Sequence, residues 1–286
     1  DPKVDFVFKN IFGSPNHPEI LISFLNATLK AKKKIVNVDI KKTDIEKQYI
    51  EDKYSRLDVK ATTSNDEIIN IEIQLKNENN MVKRSLYYLS KMYEEQLNEK
   101  EDYSKLVRTV CINILNFKYL KTDNFHTGYR FKEIESNEEL TDIMEVHFIE
   151  IPKLQDSSDE KDMLVAWTEF LKDPESEKVR GLELSIEEIR QAKDELIRMS
   201  NDSTQRELYD MRSNSLRDKM SELNAAERKG IEKGREEGRE EGRKEGIEEG
   251  RKEEKIEIAR NMKLSGLDTN TIAKITNLSE DEIDKL

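Results

Sequence analysis

Polar and aliphatic side chains alternate along two neighbouring segments of this sequence. Successive side chains of a strand point to opposite faces, so Asp58 shares a face with Lys60, and Glu72 shares a face with Gln74. Because only the polar turn at 63–66 separates the segments, we expect a hairpin that brings the Asp58 and Glu72 carboxylates together. Adjacent carboxylates repel unless a cation neutralises them, and oxygen ligands suit Mg²⁺ or Mn²⁺ better than Zn²⁺. The alternative is a half-exposed sheet whose polar face is simply solvated.

The spacing also defines the register that such a hairpin needs. Directly opposed residues of an antiparallel pair lie on the same face, so Asp58 faces Glu72 only when the pairing is centred on Asn65. Thr63 then opposes Glu67, and the loop between them has an odd number of residues. An even-numbered loop without a bulge would place the two carboxylates on opposite faces, where they share no metal.

The elements around this hairpin predict an α/β or α+β core. Two short amphipathic helices are expected before residue 30, and a longer helix over residues 81–96. Strands are expected at 35–40, 56–61, 68–75, 106–115, 129–134 and 146–151. The unbroken apolar run of the fourth is typical of a central strand. This order is typical of either class, in a domain predicted to span residues 1–175.

The rest of the chain is predicted to be a charged helical extension. It comprises a helical region at 176–229, a Gly/Arg/Glu repeat at 230–255, as a charged helix or linker, and a small helical module at 256–286. The repeat carries a glycine every fourth residue, at Gly230, Gly234, Gly238, Gly242, Gly246 and Gly250. We interpret it as a solvated helical spacer, and the alternative is a helix that packs closely against a second one. The terminal module has a helix-turn-helix pattern, but its last helix is acidic and would be repelled by phosphates, which favours a protein-contact role.

Composition excludes several classes of protein. Hydrophobic residues are 35% and charged residues 38%, and no apolar run reaches the length of a membrane helix, so we expect a cytoplasmic protein with no membrane partner. The single cysteine, Cys111, lies in an apolar run and is predicted to be an inert buried thiol. Most of the net charge of −12 lies in the C-terminal part of the chain. Residues 1–155 carry 24 basic and 26 acidic side chains, which leaves 25 basic and 35 acidic for the remainder. A nearly neutral front part is compatible with binding nucleic acid.

Five segments in the first 173 residues resemble one known family. They lie at residues 5–12, 56–61, 71–74, 84–88 and 148–153. In this order and spacing they resemble the recombination-promoting nuclease and transposase family of the PD-(D/E)XK superfamily. The glycine-rich repeat and the terminal three-helix pattern also look like tails seen in that family.

This resemblance implies an α/β, restriction-endonuclease-like core, in which a mixed sheet is flanked by helices. It also implies Mg²⁺-dependent DNA cleavage, with Mn²⁺ as a substitute. Asp58, Glu72 and the carbonyl of Ile73 would hold the metal. Gln74 would replace the lysine usual in the superfamily, which leaves the group that activates water open. Asp5 would add a further catalytic carboxylate.

Three more residues are candidates for binding phosphate. Lys60 either supplies part of the missing positive charge or is an ordinary surface lysine. Arg84 and Tyr88, one helical turn apart, either contact phosphate or pack their helix against the sheet.

Three functions follow from the resemblance. The leading hypothesis is a Mg²⁺-dependent DNA endonuclease that serves recombination, mobile elements or defence and forms homo-oligomers through its C-terminal helices. The second is a catalytically inactive protein of nuclease fold that acts as an oligomeric interaction module. The third is a structure-selective or RNA-directed nuclease.

Overall fold

A computed structural model describes residues 1–30, 33–41, 59–77, 79–159 and 161–286. The chain forms two compact units, Asp1–Leu216 and Arg217–Leu286. No helix among the described residues is both long and apolar enough to cross a membrane.

The first unit is built on a mixed sheet. Its described strands are β1 (Val38–Lys41), β2 (Val59–Thr63), β3 (Ile68–Gln74), β4 (Thr109–Leu115), β5 (His126–Lys132) and β6 (Glu139–Glu150). Their spatial order is β1-β2-β3-β4-β6-β5. β4 is parallel to β3 and to β6, and the other neighbouring pairs are antiparallel. Every residue of β4 is buried, which explains its unbroken apolar sequence. The predicted mixed α/β sheet is therefore confirmed.

Helices cover both faces of this sheet. The described helices of the chain are α1 (Asp5–Phe12), α2 (Pro18–Leu29), α3 (Met81–Glu94), α4 (Met163–Lys172), α5 (Glu177–Glu183), α6 (Glu187–Asn201), α7 (Ser203–Leu264), α8 (Thr269–Thr276) and α9 (Glu280–Asp284). One face packs against α1, α2, α4, α5 and α6, around Phe12, whose ring centroid lies 5.4 Å from that of Phe24 and 5.3 Å from that of Trp167. The other face packs against α3 through Met81 and Leu89.

The first unit extends beyond the boundary predicted at residue 175. Val179, Leu182, Ile189, Ala192 and Met199 are buried in the same core as α1 and α2. They recur at helical spacing among many charged residues, so α5 and α6 each have a narrow apolar stripe and a broad charged face. That charged face dominates the composition, and the stripe is what fixes these helices to the core.

The second unit contains most of α7 followed by α8 and α9. The glycine-rich stretch is helical and exposed, and a Cβ at any of its six glycines would meet nothing within 4 Å. This agrees with the interpretation as a solvated helix. The small helices share a core of Ala259, Ile272, Leu278 and Ile283, and Ser279 and Glu282 form the predicted capping box.

Candidate active site

The β2–β3 hairpin has the predicted register. Val59 pairs with Ile71, and the pairing is centred on Asn65. The Thr63 N–H donates to the Glu67 carbonyl at 2.9 Å, which closes a three-residue loop. Asp66 in this loop has φ +60°, a left-handed conformation that Asp tolerates better than most residues. Asp58, the predicted partner of Glu72, lies outside the described residues.

Glu72 is a buried carboxylate on the sheet face covered by α3. Only 1% of the residue is exposed, and its Oε2 lies 3.2 Å from Nε of Arg84. Burial raises the pKa of Glu72, although the positive charge of Arg84 and a hydrogen bond from Asn70 act in the opposite direction. Among the described residues, none donates a well-aligned hydrogen bond to Oε2. A buried carboxylate oxygen that accepts no well-aligned hydrogen bond from the described residues is suited to binding a cation.

A buried polar cluster positions α3 over Glu72. Asn113 lies opposite Glu72 on the parallel strand β4, and its Nδ2 donates to the His147 carbonyl at 3.1 Å. Oγ of Ser85 lies 2.8 Å from Oδ1 of Asn113. Because Ser85 follows Arg84 directly, this contact helps to fix the guanidinium beside Glu72. Sequence reasoning missed Asn113, although a single polar residue inside an apolar central strand was the available signal.

The Arg84 guanidinium and the Tyr88 ring contact each other on α3. The Arg84 guanidinium lies 5.4 Å from the centroid of the Tyr88 ring, an arrangement that favours a cation–π interaction. Tyr88 is only 4% exposed and packs against Met92 and Ile68. Of the two roles left open for Tyr88, this placement favours packing of α3 against the sheet. Arg84, whose side chain is 28% exposed, is accessible from outside as well as from Glu72.

Three other candidate residues lie on the same hairpin, Lys60 on β2 and Ile73 and Gln74 on β3. Gln74 is partly exposed at the end of β3, and its carbonyl accepts a hydrogen bond from the Asn116 N–H at 2.9 Å. The Ile73 side chain is buried in the core on the other face. Lys60 opposes Asn70 and therefore shares the face of Glu72, but its Nζ lies 3.7 Å from Glu95 Oε2. The charge of Lys60 is thus partly balanced by Glu95.

Asp5 lies in the layer on the opposite face of the sheet from Glu72. It is the first residue of α1, which packs against Ile71 and its neighbours on that opposite face. Its Oδ1 accepts a hydrogen bond from the Phe6 N–H at 2.7 Å, and its Oδ2 lies 3.7 Å from Nη1 of Arg212. These contacts give no direct link between Asp5 and Glu72, and a catalytic role for Asp5 stays a prediction.

A second buried polar network joins the sheet on the face away from α3. Arg108 bridges Glu67 and Glu145, and the Glu145 carboxylate also accepts a hydrogen bond from Nε2 of His147 at 2.7 Å. Nδ1 of His147 lies 2.8 Å from Nε2 of His126. Burial alone would raise the pKa of Glu145, but its hydrogen bonds from His147 and Arg108 outweigh burial and lower the pKa to about 2. The two histidines, which are scattered in sequence, are thus brought together by β5 and β6.

The lowered pKa of His126 predicts that the stability of the fold depends on pH. Burial, followed by the nearby His147, lowers its pKa to about 4 from an ordinary 6.5. The unfolded chain therefore binds a proton at a pH where the folded chain does not, and stability is lost as pH falls from 6.5 to 4. The loss from this group is up to about 3 kcal/mol. In urea unfolding between pH 7 and 4.5, His126→Asn is expected to flatten this slope relative to wild type. Equal slopes in wild type and His126→Asn would contradict the assignment.

Two family models match this chain. One is described as PD-(D/E)XK nuclease family transposase and matches residues 2–226. The other is described as Rpn/YhgA-like nuclease family, C-terminal HTH domain, and matches residues 252–286. The second match confirms the helix-turn-helix pattern of α8 and α9. Searches of curated proteins and of solved structures gave no match.

Proposed function

Because the chain belongs to the PD-(D/E)XK nuclease family of transposases, we propose that it is a metal-dependent endonuclease that hydrolyses phosphodiester bonds in DNA. The observation that carries this proposal is the buried Glu72 carboxylate on a hairpin whose register is centred on Asn65. The residue that precedes Val59 in sequence is Asp58, and Val59 pairs with the residue that precedes Glu72. This register is therefore the one that a shared site of Asp58 and Glu72 requires.

The residues at this position fit a hard divalent cation. Asp58, Glu72 and the Ile73 carbonyl would supply only oxygen ligands, which Mg²⁺ and Mn²⁺ prefer. Oε2 of Glu72 accepts no well-aligned hydrogen bond from the described residues. When bound, such an ion lowers the pKa of a coordinated water and stabilises charge on phosphate oxygens. Among the described residues, no group of three or more His, Cys, Asp or Glu side chains is placed to hold a metal ion.

Neighbouring side chains would orient the water molecule and bind the substrate phosphate. Gln74 is a neutral amide, so it can orient a water molecule but cannot supply the positive charge of a lysine. Arg84 lies beside Glu72 and is partly exposed, so we assign it the positive charge that faces the substrate phosphate. Its guanidinium stays charged at any physiological pH and binds phosphate oxygens in a bidentate manner.

The test is cleavage of supercoiled plasmid by the purified full chain. Nicked and linear products are expected with Mg²⁺ or Mn²⁺, and none with EDTA. Asp58→Ala, purified in parallel, controls for contaminating nucleases and is expected to be inactive. Equal cleavage by Asp58→Ala, or no cleavage by wild type with either ion, would contradict the proposal. A parallel RNA substrate distinguishes an RNA-directed nuclease, and intact binding without cleavage would support the inactive interaction module.

For the C-terminal unit we propose a role in self-association. Every residue of α7 from 230 to 255 is exposed, and a helix that is polar all round often connects or bridges other parts of an assembly. The acidic first turn of α9, with Glu280, Asp281 and Glu282, favours a protein partner for the helix-turn-helix module over DNA phosphates.

Truncation tests this role. A chain that ends at Leu216 retains the buried cores of the first unit and is expected to stay folded, to be monomeric, and to keep the chemical step. Light scattering measures its mass beside the full chain, with circular dichroism as the control for folding. If both chains have the same oligomeric state, the assembly role is wrong.

A further inference from the structure

The outer face of α3 combines a lysine with an aromatic ring. Lys83 and Tyr87 are one helical turn apart and both are exposed, with Tyr87 51% exposed. Val82 and Leu86 lie beside them and are also exposed. Sequence spacing had drawn attention to Arg84 and Tyr88, but Tyr88 points inward. Lys83 and Tyr87, hereafter the α3 ridge, are therefore the solvent-facing pair.

This ridge adjoins the candidate active site. Lys83 immediately precedes Arg84, whose Nε lies 3.2 Å from the Glu72 carboxylate. Among the described residues, no acidic side chain lies within 4.0 Å of the Lys83 ammonium. Lys91, one turn beyond Tyr87, is by contrast paired with Glu94 at 3.0 Å. Lys83 thus presents a positive charge next to the site that no acidic side chain of the described residues neutralises by direct contact.

We propose that the α3 ridge binds the strand of nucleic acid that leads into the active site, with Lys83 at a phosphate and Tyr87 stacked on an unpaired base. Lysine is complementary to the polyanionic backbone, and exposed aromatic rings are stacking platforms for single strands. The bases of an intact duplex are stacked within it, so a protein ring reaches a base face only where the base is unpaired. The preferred substrate is accordingly DNA with a single-stranded segment. This inference rests on the proposed function, because the bound strand is taken to lead toward the candidate active site.

A second copy of the chain is the competing occupant of this face. Among the described residues of α3, the exposed large apolar side chains beside the Tyr87 ring are Val82 and Leu86, and the charged Lys83 lies between them in sequence. Hydrophobic interfaces between subunits are depleted in charge at their centre. The combination of a cation and a flat ring therefore favours nucleic acid.

The experiment measures binding without chemistry. Full-length protein in EDTA is titrated into a fluorescein-labelled single-stranded oligonucleotide and into the matching duplex, and anisotropy gives both dissociation constants. The variants are Lys83→Gln and Tyr87→Ala. Lys100→Gln and Tyr103→Ala are matched controls, because both residues are exposed and lie in the connection between α3 and β4. That connection leads to the start of β4, whereas the α3 ridge follows the end of the parallel strand β3.

Tyr87→Ala is expected to weaken single-strand binding about ten-fold and duplex binding much less. Lys83→Gln is expected to reduce the slope of log K against log salt concentration by about 0.7 on the single strand. Both controls are expected to bind like wild type. Wild-type affinity in both variants, or equal weakening on the duplex by Tyr87→Ala, would overturn the inference. A change of mass in light scattering with either variant would also overturn it, in favour of self-association.

This readout is independent of the proposed function. If plasmid cleavage fails but the α3 ridge variants weaken single-strand binding, the endonuclease proposal is wrong and the binding surface stands. If cleavage succeeds but both variants bind normally, the endonuclease stands and the surface is wrong.

Discussion

Glu72→Gln is expected to lower cleavage on the order of 10³-fold or more while leaving the fold at least as stable as wild type in EDTA. The loss of activity follows from the loss of a metal ligand, since a bound ion supplies several kcal/mol of charge stabilisation in the transition state. The gain or retention of stability follows because burial raises the pKa of Glu72, so the folded chain carries an unfavourable charge. Glutamine keeps the shape and removes that charge.

The same substitution is expected to change how stability depends on pH. A carboxylate whose pKa is raised by folding holds its proton more tightly when folded, so its contribution to stability is lost as pH rises from about 4.5 through the raised value. Glu72→Gln is expected to remove this loss. Thermal unfolding in EDTA from pH 4 to pH 8 measures it, with exposed Glu99→Gln as the control. A destabilised Glu72→Gln, or an inactive Glu99→Gln, would contradict the account.

Arg108→Ala is expected to destabilise the first unit by about 3–5 kcal/mol, the usual cost of removing one partner from a buried ion pair. Arg108 contacts both Glu67 and Glu145, and each of these carboxylates is less than a tenth exposed. Without the guanidinium, two negative charges stay buried on one side of the sheet. Urea unfolding at pH 7 measures the loss.

A double substitution tests whether the loss of stability comes from the buried carboxylates that Arg108 no longer neutralises. Arg108→Met combined with Glu145→Gln is expected to recover part of the stability lost in Arg108→Met alone, because a neutral amide costs less to bury than a carboxylate. Arg130→Ala is the milder comparison, since Arg130 is more exposed and lies 3.0 Å from the same Glu145. A loss below about 1 kcal/mol for Arg108→Ala would show that water compensates the carboxylates.

Local patterns predicted the parts of this fold that depend on neighbours in sequence. The β2–β3 register followed from a period of two and from a loop around Asn65, since a one-residue shift would have exposed the aliphatic face of β3. Cys111 is buried as predicted, and burial raises the pKa of its thiol to about 12. Each of these features is determined within a few residues.

Features that join distant segments were not visible in sequence. The contact of Ser85 with Asn113 and the pairing of His126 with His147 depend on which strands become neighbours. The choice between Tyr87 and Tyr88 as the exposed ring depends on which side of α3 meets the sheet. The packing of α5 and α6 into the core of the first unit was not predicted either, because their apolar stripes are narrow against a charged background.

The central claim is that Asp58 and Glu72 hold one divalent cation, and isothermal titration calorimetry tests it most directly. Full-length protein is titrated with Mn²⁺ and with Mg²⁺, beside the Asp58→Ala/Glu72→Ala double variant, whose folding is checked by circular dichroism. We expect one ion per wild-type chain and no binding at this site in the double variant. Unchanged affinity and stoichiometry in a folded double variant would contradict the claim.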